Sequence, residues 1–186
     1  MPEDKKIHAI CLLTDGFEEV EAITPIDLLR RADIEVTIAA HHGRLTVRGR
    51  CGVQVQAQTS LQQVKDHLYD ALVLPGGPST PELRDSNTVL ELAKEHAASG
   101  KCIGAICAAP TILHKAGLLN DKKYTAHYTV KEMLPDMIEH ESVIEDGNII
   151  TSRGAGTAIP FALALIERLV SPQKANEVAS SIHYQK

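Results

Sequence analysis

The chain has 186 residues, of which 44% are hydrophobic and 23% charged, a composition suited to a single globular domain spanning residues 1–186 with a sizeable core. A net charge of −5, a pI near 6.0 and the absence of a basic cluster interleaved with aromatic residues argue against a nucleic-acid partner. No apolar run is long enough to span a bilayer, so the sequence predicts no membrane partner.

Apolar runs typical of buried strands alternate with amphipathic helical patterns along the chain. This alternation predicts an α/β fold, with a mostly parallel central sheet and helices on both faces. A small edge hairpin is also expected in 45–57. A tight turn is expected at 146–148, between two short strands. The strands are predicted at 7–13, 35–40, 71–74, 102–106 and 148–151, and the helices at 19–31, 88–99, 157–170 and after Ser171-Pro172.

Four loops with unusual residues follow predicted strands. Ligands bind beyond the carboxyl ends of the strands in an open parallel sheet, so these loops are expected to meet around one site. They cover residues 14–21, 75–78, the turn at Cys107, and 152–157.

Cys107 carries the strongest chemical signal. The apolar run 101–106 leads into it, and Pro110 suits the first turn of a helix that continues to Gly117. We expect Cys107 within the first residues of this helix, where free N–H groups favour the thiolate and lower its pKa. The alternative is a buried, inert cysteine that acts as a small hydrophobic residue.

Pro75-Gly76-Gly77-Pro78 fits neither a helix nor a strand interior. The N–H of Gly77, with that of Ala108, is predicted to face negative charge on a substrate oxygen or on oxidised sulfur. The alternative is a tight connection to the next helix. Gly154-Ala155-Gly156 lacks both the dinucleotide fingerprint and the P-loop lysine, so no nucleotide cofactor is expected.

Three glutamates, Glu18, Glu19 and Glu21, open the first predicted helix. Carboxylates interact favourably with the positive N-terminal end of a helix dipole, and this interaction is enough to explain the presence of Glu18 and Glu19. Glu21 is the one that can face inward, where desolvation beside a thiolate would raise its pKa and keep it protonated. Its predicted role is therefore that of a proton shuttle.

His127 follows Tyr124-Thr125-Ala126, which we interpret as a short strand, and it is placed to reach Cys107 as a base or a substrate-positioning group. The other eight histidines are expected to be solvated. His41-His42 is discounted as a metal site because no cysteine or carboxylate lies nearby in the sequence.

The four cysteines are Cys11, Cys51, Cys102 and Cys107. They show no CxxC pair and no metal-ligand spacing. Together with a start that lacks the features of a signal peptide, this predicts a reducing, cytoplasmic location.

Together these residues resemble the ThiJ/PfpI superfamily, and most closely the branch that contains the parkinsonism-associated protein deglycase and its small bacterial relatives. The resemblance implies a flavodoxin-like three-layer sandwich and a homodimer. It assigns Cys107 as nucleophile, Glu21 and His127 as its partners, and the N–H groups of Gly77 and Ala108 as the oxyanion site. The motifs that carry it are 16–22, 25–32, 73–77 with Gly76, 105–110, and 151–157 with Arg153 and Gly154.

Arg31 and Arg153 also match family arginines. One position departs from the pattern: Cys51, with Arg50 beside it, stands where this branch often has an arginine that helps build an anion pocket.

The implied activity is cysteine-dependent chemistry on 2-oxoaldehydes such as methylglyoxal, of the glutathione-independent glyoxalase or protein deglycase type, with protection against oxidative stress and without a metal or organic cofactor. The alternative is a redox-sensing or chaperone-like dimer in which Cys107 is oxidised to the sulfinate. Peptidase activity is disfavoured because Ala108 replaces the histidine of the intracellular protease subgroup. A glutamine amidotransferase would need a downstream His-x-Glu, which is absent here.

Overall fold

The computed structural model describes residues 6–185. Its centre is a seven-stranded sheet in the order β5-β2-β1-β6-β7-β9-β8, in which only β8 runs antiparallel to its neighbour. Strands β3 and β4 form a separate antiparallel hairpin, so the predicted parallel sheet and small hairpin are confirmed. The strands are β1 (His8–Leu13), β2 (Glu35–Ala40), β3 (Thr46–Arg48), β4 (Gln54–Gln56), β5 (Thr59–Ser60), β6 (Ala71–Leu74), β7 (Cys102–Ile106), β8 (Val143–Asp146) and β9 (Ile149–Ser152).

Helices cover both faces of this sheet and complete three layers. The first, sixth and seventh pack into one apolar cluster, and the second to fifth pack into the cluster on the opposite face. None of the helices described within 6–185 is long and apolar enough to cross a membrane. They are α1 (Glu19–Arg31), α2 (Leu61–Val64), α3 (Thr80–Arg84), α4 (Asn87–Ala98), α5 (Pro110–Lys115), α6 (Ala158–Leu169) and α7 (Pro172–Ser181).

Strand β1 shows why the apolar runs are continuous rather than alternating. Cys11 and Leu13 face one apolar cluster, Ile10 and Leu12 face the other, and all four are fully buried. A strand covered by helices on both faces needs apolar residues at every position. The same arrangement directs the carboxyl ends of β1, β6, β7 and β9 toward one edge of the sheet.

The predicted strand at Tyr124-Thr125-Ala126 is wrong, because these residues form an extended segment outside the sheet. Both edges of the nearby β9 are already paired, with β7 and with β8, and leave no ladder for another strand to join. The N–H of Thr125 instead donates to the side-chain hydroxyl of Thr151 at 3.0 Å.

The expectation that eight histidines are solvated fails at two of them. His96 is fully buried on α4, with its Nδ1 2.8 Å from the carbonyl oxygen of Leu92. His41 has a side chain only 13% exposed. Neither environment is encoded locally, because each arises from packing against other parts of the fold.

Candidate active site

Cys107 lies in the turn between β7 and α5, two residues before the N-cap Ala109, and not within the first turn of the helix as expected. Its φ is +67°, a left-handed conformation that a cysteine rarely adopts. Hydrogen bonds hold the backbone on both sides: its N–H donates to the carbonyl of Ser152 and its carbonyl accepts from the N–H of His127, each at 2.8 Å. The surrounding loops therefore fix the strained turn that presents the thiol.

The structure places Glu21 beside this thiol. Glu21 lies in the first turn of α1 and is only 1% exposed, and its N–H donates to the Glu18 carboxylate at 2.8 Å, which caps the helix. Its own Oε2 accepts from the N–H of Gly76 at 3.0 Å, and its carboxyl group is hydrogen-bonded to Cys107. The inward orientation expected from the sequence is thus the one observed.

Burial raises the pKa of the Glu21 carboxyl to about 7. Hydrogen bonds from Cys107 and from the N–H groups of Gly76 and Ala155 work against this rise, whereas the negative charge of Glu18 adds to it. Glu21 therefore changes protonation state near neutrality rather than near the usual pKa of a glutamate.

Burial also raises the pKa of Cys107, and the charge and hydrogen bond of Glu21 raise it further. The N–H groups of Ala108 and Gly77 lower it but do not compensate. The expected lowering of this pKa is therefore wrong in direction. The expectation counted the N–H groups at the turn and left out the desolvation of the thiol and the charge of its carboxylate partner.

Glu21 and Cys107 consequently titrate as a coupled pair. Above a pH of about 7 the Glu21 carboxylate is available to accept the proton of the thiol with which it is hydrogen-bonded. Proton transfer to Glu21 then leaves a thiolate facing a carboxylic acid, with two backbone donors also directed at the sulfur. At rest the arrangement therefore favours a thiol hydrogen-bonded to Glu21 over a permanent thiolate.

The two glycines after β6, Gly76 and Gly77, are required because neighbouring atoms lie too close to leave room for a side chain. A Cβ on Gly76 would lie 2.7 Å from both the Cys107 Cβ and the Glu21 Oε2. Gly77 has a φ of +108°, and a Cβ there would lie 2.6 Å from the carbonyl oxygen of Gly16. The loop is thus more than a tight connection, because it brings the Gly77 N–H to the sulfur and gives the Gly76 N–H to Glu21.

The loop after β9 closes the other side of the site. A Cβ on Gly154 would lie 3.2 Å from the His127 ring, 3.7 Å from Glu21 Oε1 and 4.0 Å from Cys107 Sγ. His127 and the exposed Arg153 also line an open cleft of about 380 Å³ formed with residues 154–157. The structure therefore brings Gly154, His127 and Arg153 to the same edge of the sheet as Cys107.

His127 is held as a neutral ring at neutral pH. Partial burial and the positive charge of Arg153 lower the pKa of its imidazole. Its Nδ1 lies 2.8 Å from the hydroxyl of Thr129, which fixes the ring orientation. A neutral imidazole beside a guanidinium suits the recognition of a polar, oxygen-rich small molecule.

Arg31 lies away from this cluster. It ends α1, about 15 Å along the helix axis from Glu21 at 1.5 Å per residue. Its guanidinium pairs with Asp27 one turn earlier, at 3.0 Å. Within one chain, the structure does not bring Arg31 to the site.

Sequence reasoning missed the role of Glu19, which was assigned only to the helix dipole. Its Oε1 accepts from the N–H of Cys51 at 2.7 Å, and a Cβ on Gly49 would lie 2.4 Å from the same oxygen. Glu19 therefore fastens the β3–β4 hairpin to the start of α1. The glycine at 49 is the one sequence signal of this contact.

Comparison with known proteins identifies the family of this chain. The profile of the DJ-1/PfpI family matches residues 6–168. The chain belongs to the DJ-1/PfpI family. Residues 6–168 include every member of the cluster described above.

Individual DJ-1/PfpI relatives match nearly the whole chain. Protein dj-1beta of Drosophila melanogaster is 40% identical over 178 residues, covering 94% of this chain and 95% of its own. Glutathione-independent glyoxalase DJR-1.2 of Caenorhabditis elegans is 36% identical, covering 94% of each chain. The crystal structure of the Drosophila DJ-1beta superposes with a TM-score of 0.94 at 38% identity, covering 97% of this chain and 100% of its own. The flavodoxin-like fold is thereby confirmed.

The departure at Cys51 has a structural consequence for this DJ-1/PfpI chain. Cys51 is exposed, and both its backbone N–H and its side chain are hydrogen-bonded to Glu19. Arg50 beside it is also exposed. Position 51 therefore supplies a thiol in place of a guanidinium, and Arg153 is the cation that lines the cleft with His127.

We expect Glu21→Gln to lower the thiol pKa of Cys107 by about one to three pKa units, because the amide removes the carboxylate charge that opposes ionisation of the thiol. The measurement is the ultraviolet absorbance of the thiolate against pH in a Cys51→Ser background. Cys11 and Cys102 are replaced by alanine in the same background, because burial raises the pKa of each to about 12, into the range in which the raised pKa of Cys107 also lies.

Glu19→Gln is the matched control for this titration. It removes an equal charge at the same helix start, from a side chain that is bonded to the hairpin rather than to the thiol. The thiol pKa should move far less in this control. A rise of the thiol pKa in Glu21→Gln would contradict the coupled pair and restore Glu21 as the protonated donor predicted from the sequence.

Proposed function

We propose that this DJ-1/PfpI protein is a cysteine-dependent enzyme that acts on small 2-oxoaldehydes such as methylglyoxal, without glutathione. The observation that carries the proposal is the buried Glu21 carboxyl hydrogen-bonded to the Cys107 thiol, with the N–H groups of Gly77 and Ala108 directed at the same sulfur. The name of the Caenorhabditis elegans relative as a glutathione-independent glyoxalase supports this substrate class.

The first step is addition of the thiol to the aldehyde carbon. Glu21 takes the proton from Cys107 as Sγ forms a bond to that carbon, and the carbonyl electron pair moves to the oxygen. The backbone donors at Gly77 and Ala108 stabilise the developing oxyanion. Protonation of that oxygen by the Glu21 carboxylic acid gives a neutral hemithioacetal and returns Glu21 to the carboxylate.

The second step is an internal redox isomerisation that needs no external oxidant. The Glu21 carboxylate removes the proton from the former aldehyde carbon and delivers it to the neighbouring carbonyl carbon, while the hydroxyl proton of the hemithioacetal moves to the oxygen of that neighbouring carbonyl. The first carbon becomes a thioester and the second becomes a secondary alcohol, with His127 orienting the substrate oxygen. Water then cleaves the thioester, releasing lactate and restoring the thiol. In a deglycase reaction, loss of the amine or thiol from its methylglyoxal adduct regenerates the free aldehyde, which then follows the same two steps.

We expect the kcat/KM for lactate formation from methylglyoxal to rise as pH increases through about 7, because Glu21 must be ionised to accept the thiol proton. Cys107→Ala should abolish lactate formation, and Glu21→Gln should reduce it by about 100-fold or more and remove the step near pH 7. Lactate is measured enzymatically, with spontaneous trapping of the aldehyde by thiols and amines subtracted.

His114→Gln is the control, because His114 is exposed on α5, the helix that follows the Cys107 turn. It should retain the wild-type rate and pH profile. Wild-type protein that forms no lactate, or Cys107→Ala that keeps the rate, would refute the proposed activity.

A second proposed function is redox sensing or protection, through oxidation of Cys107 to the sulfinate by a peroxide. Its support is the same set of donors, because the N–H groups of Gly77 and Ala108 suit the oxygens of an oxidised sulfur as well as an oxyanion. Cys11 and Cys102, at 0% and 3% exposure, are shielded from the oxidant. A reducing cytoplasm, in which four free thiols persist, is the location that fits this role.

After mild peroxide treatment, we expect mass spectrometry to find sulfinate first at Cys107, since the Glu21 carboxylate can accept the thiol proton during attack on the peroxide and the turn supplies donors to the oxygens of the oxidised sulfur. The exposed Cys51, whose side chain is hydrogen-bonded to Glu19, is an internal reference for an accessible thiol outside the turn. Preferential oxidation of Cys11, Cys51 or Cys102 would rule out Cys107 as the sensor. Oxidation of Cys107 in a protein that shows no turnover would favour sensing over catalysis.

We also propose that the protein is a homodimer. The support is an exposed apolar patch beside the site, formed by Val20 and Ile23 on α1 and Val53 of the hairpin, which are 48%, 39% and 51% exposed. Glu19 fastens the hairpin to α1, so the patch is one surface. Self-association would bury it.

Sedimentation velocity tests the dimer. Val20→Glu and Val53→Glu should convert the wild-type dimer to a monomer, because each introduces a charge that the interface would have to desolvate. Val170→Glu is the matched control, since Val170 is 42% exposed at the end of α6, outside the patch. A wild-type monomer, or a dimer that persists in both patch variants, would contradict the proposal.

A further inference from the structure

A second cluster of chemically active side chains lies at the same edge of the sheet, outside the Cys107 site. It consists of His41 and His42 after β2 and Glu82 on α3, and within residues 6–185 it is the one group of three whose ligand atoms lie within 4.8 Å of one another. The carboxylate missing from the local sequence comes from 41 residues further along the chain. The reason for discounting His41-His42 as a metal site is therefore removed by the fold.

The backbone after β2 makes the convergence possible. Neighbouring side chains in a strand point to opposite faces, but His41 and His42 follow Ala40 in a bend. Their rings lie 4.6 Å apart, centre to centre, tilted by 50°. Two consecutive imidazoles therefore face one carboxylate.

The distances match a coordination site. Glu82 Oε1 lies 3.0 Å from His41 Nδ1 and 2.6 Å from His42 Nε2. Ligand atoms bound to zinc at about 2.0–2.1 Å with tetrahedral angles lie about 3.3 Å apart, so Glu82 Oε1 would separate by about 0.3 Å from His41 Nδ1 and by about 0.7 Å from His42 Nε2. No backbone rearrangement is required, because His42 and Glu82 are 65% and 42% exposed.

Two hydroxyl groups form hydrogen bonds with the side chains of these ligands. The other ring nitrogen of His41, Nε2, lies 3.0 Å from Ser86 Oγ, and Thr14 Oγ1 donates to Glu82 Oε1 at 2.7 Å. Such outer hydrogen bonds orient metal ligands. Desolvation opposes the ionisation of Glu82, but hydrogen bonds from Thr14 and His41 and the charge of His42 outweigh it and hold the pKa of this carboxyl below its usual value.

We propose that His41, His42 and Glu82 bind one divalent transition-metal cation, with Zn²⁺ as the representative ion. Imidazole nitrogen with a single carboxylate suits Zn²⁺, whereas Mg²⁺ and Ca²⁺ prefer oxygen ligands throughout. Three protein ligands leave a fourth position for water or a small ligand. The simpler alternative is an ion-pair cluster with no affinity for metal, which the experiment distinguishes.

The cation would connect the end of β2 to the loop that serves the Cys107 site. Glu82 is on α3, and the N–H of Thr80 at the start of that helix donates to the carbonyl of Gly77 at 3.1 Å. Gly77 is the residue whose N–H faces the Cys107 sulfur. A metal bound to Glu82 would therefore brace the glycine loop through α3.

The test is titration with Zn²⁺ by isothermal titration calorimetry, in a Cys51→Ser/Cys107→Ser background so that the accessible thiols cannot bind the metal. We expect one Zn²⁺ per chain, and binding at least about tenfold weaker in His42→Gln and in Glu82→Gln, each of which removes one ligand. His8→Gln is the matched control, because His8 lies at the start of β1 and pairs at 3.2 Å with Glu35, which also pairs with Lys6, so its loss should leave the affinity unchanged.

The proposal is overturned if Zn²⁺ does not bind stoichiometrically, if both ligand variants bind it as tightly as the background protein, or if His8→Gln weakens binding equally. Thermal melting without metal checks the fold of each variant. Should Glu82→Gln prove destabilised, His42→Gln decides the outcome, because that side chain is largely in solvent and its loss leaves the core intact.

Discussion

The hydrogen bond between Glu21 and Cys107 is the interaction on which the proposed chemistry of this protein depends. Each group alone would be an unfavourable element of the core, a carboxyl that is 1% exposed or a thiol in a left-handed turn. Together they share a proton, and burial keeps the Glu21 pKa near 7. The reactive state therefore depends on the environment of the pair rather than on the N–H groups of the turn alone.

The backbone around the pair is built to permit this contact. Gly76 and Gly154 each leave room where a side chain would meet Glu21 or the cysteine, and the neighbouring loops hold Cys107 at a positive φ. These constraints come from four separate loops, all of which end parallel strands. The strain at Cys107 is maintained because both its N–H and its carbonyl are committed to those loops.

The edge of the sheet carries two chemically distinct clusters. The Cys107 site combines a nucleophile with a carboxyl group and backbone donors, while His41, His42 and Glu82 combine nitrogen and oxygen ligands. Helix α3 connects them, since it follows the Gly77 loop and carries Glu82. The parallel sheet explains the proximity, because it directs the loops with functional residues to one side.

The sequence by itself determined the layer architecture, the hairpin and the placement of Cys107 at a turn, since apolar periodicity and glycine or proline signals act over a few residues. It also indicated that Glu21 faces inward. Only the tertiary structure decided the direction of the thiol pKa, the burial of His96 and the meeting of Glu82 with His41. Desolvation and charge interactions depend on neighbours distant in sequence, which local patterns do not encode. Strand pairing also depends on parts of the chain that are distant in sequence. The segment at Tyr124 does not form a strand, because β9 already has partners on both edges.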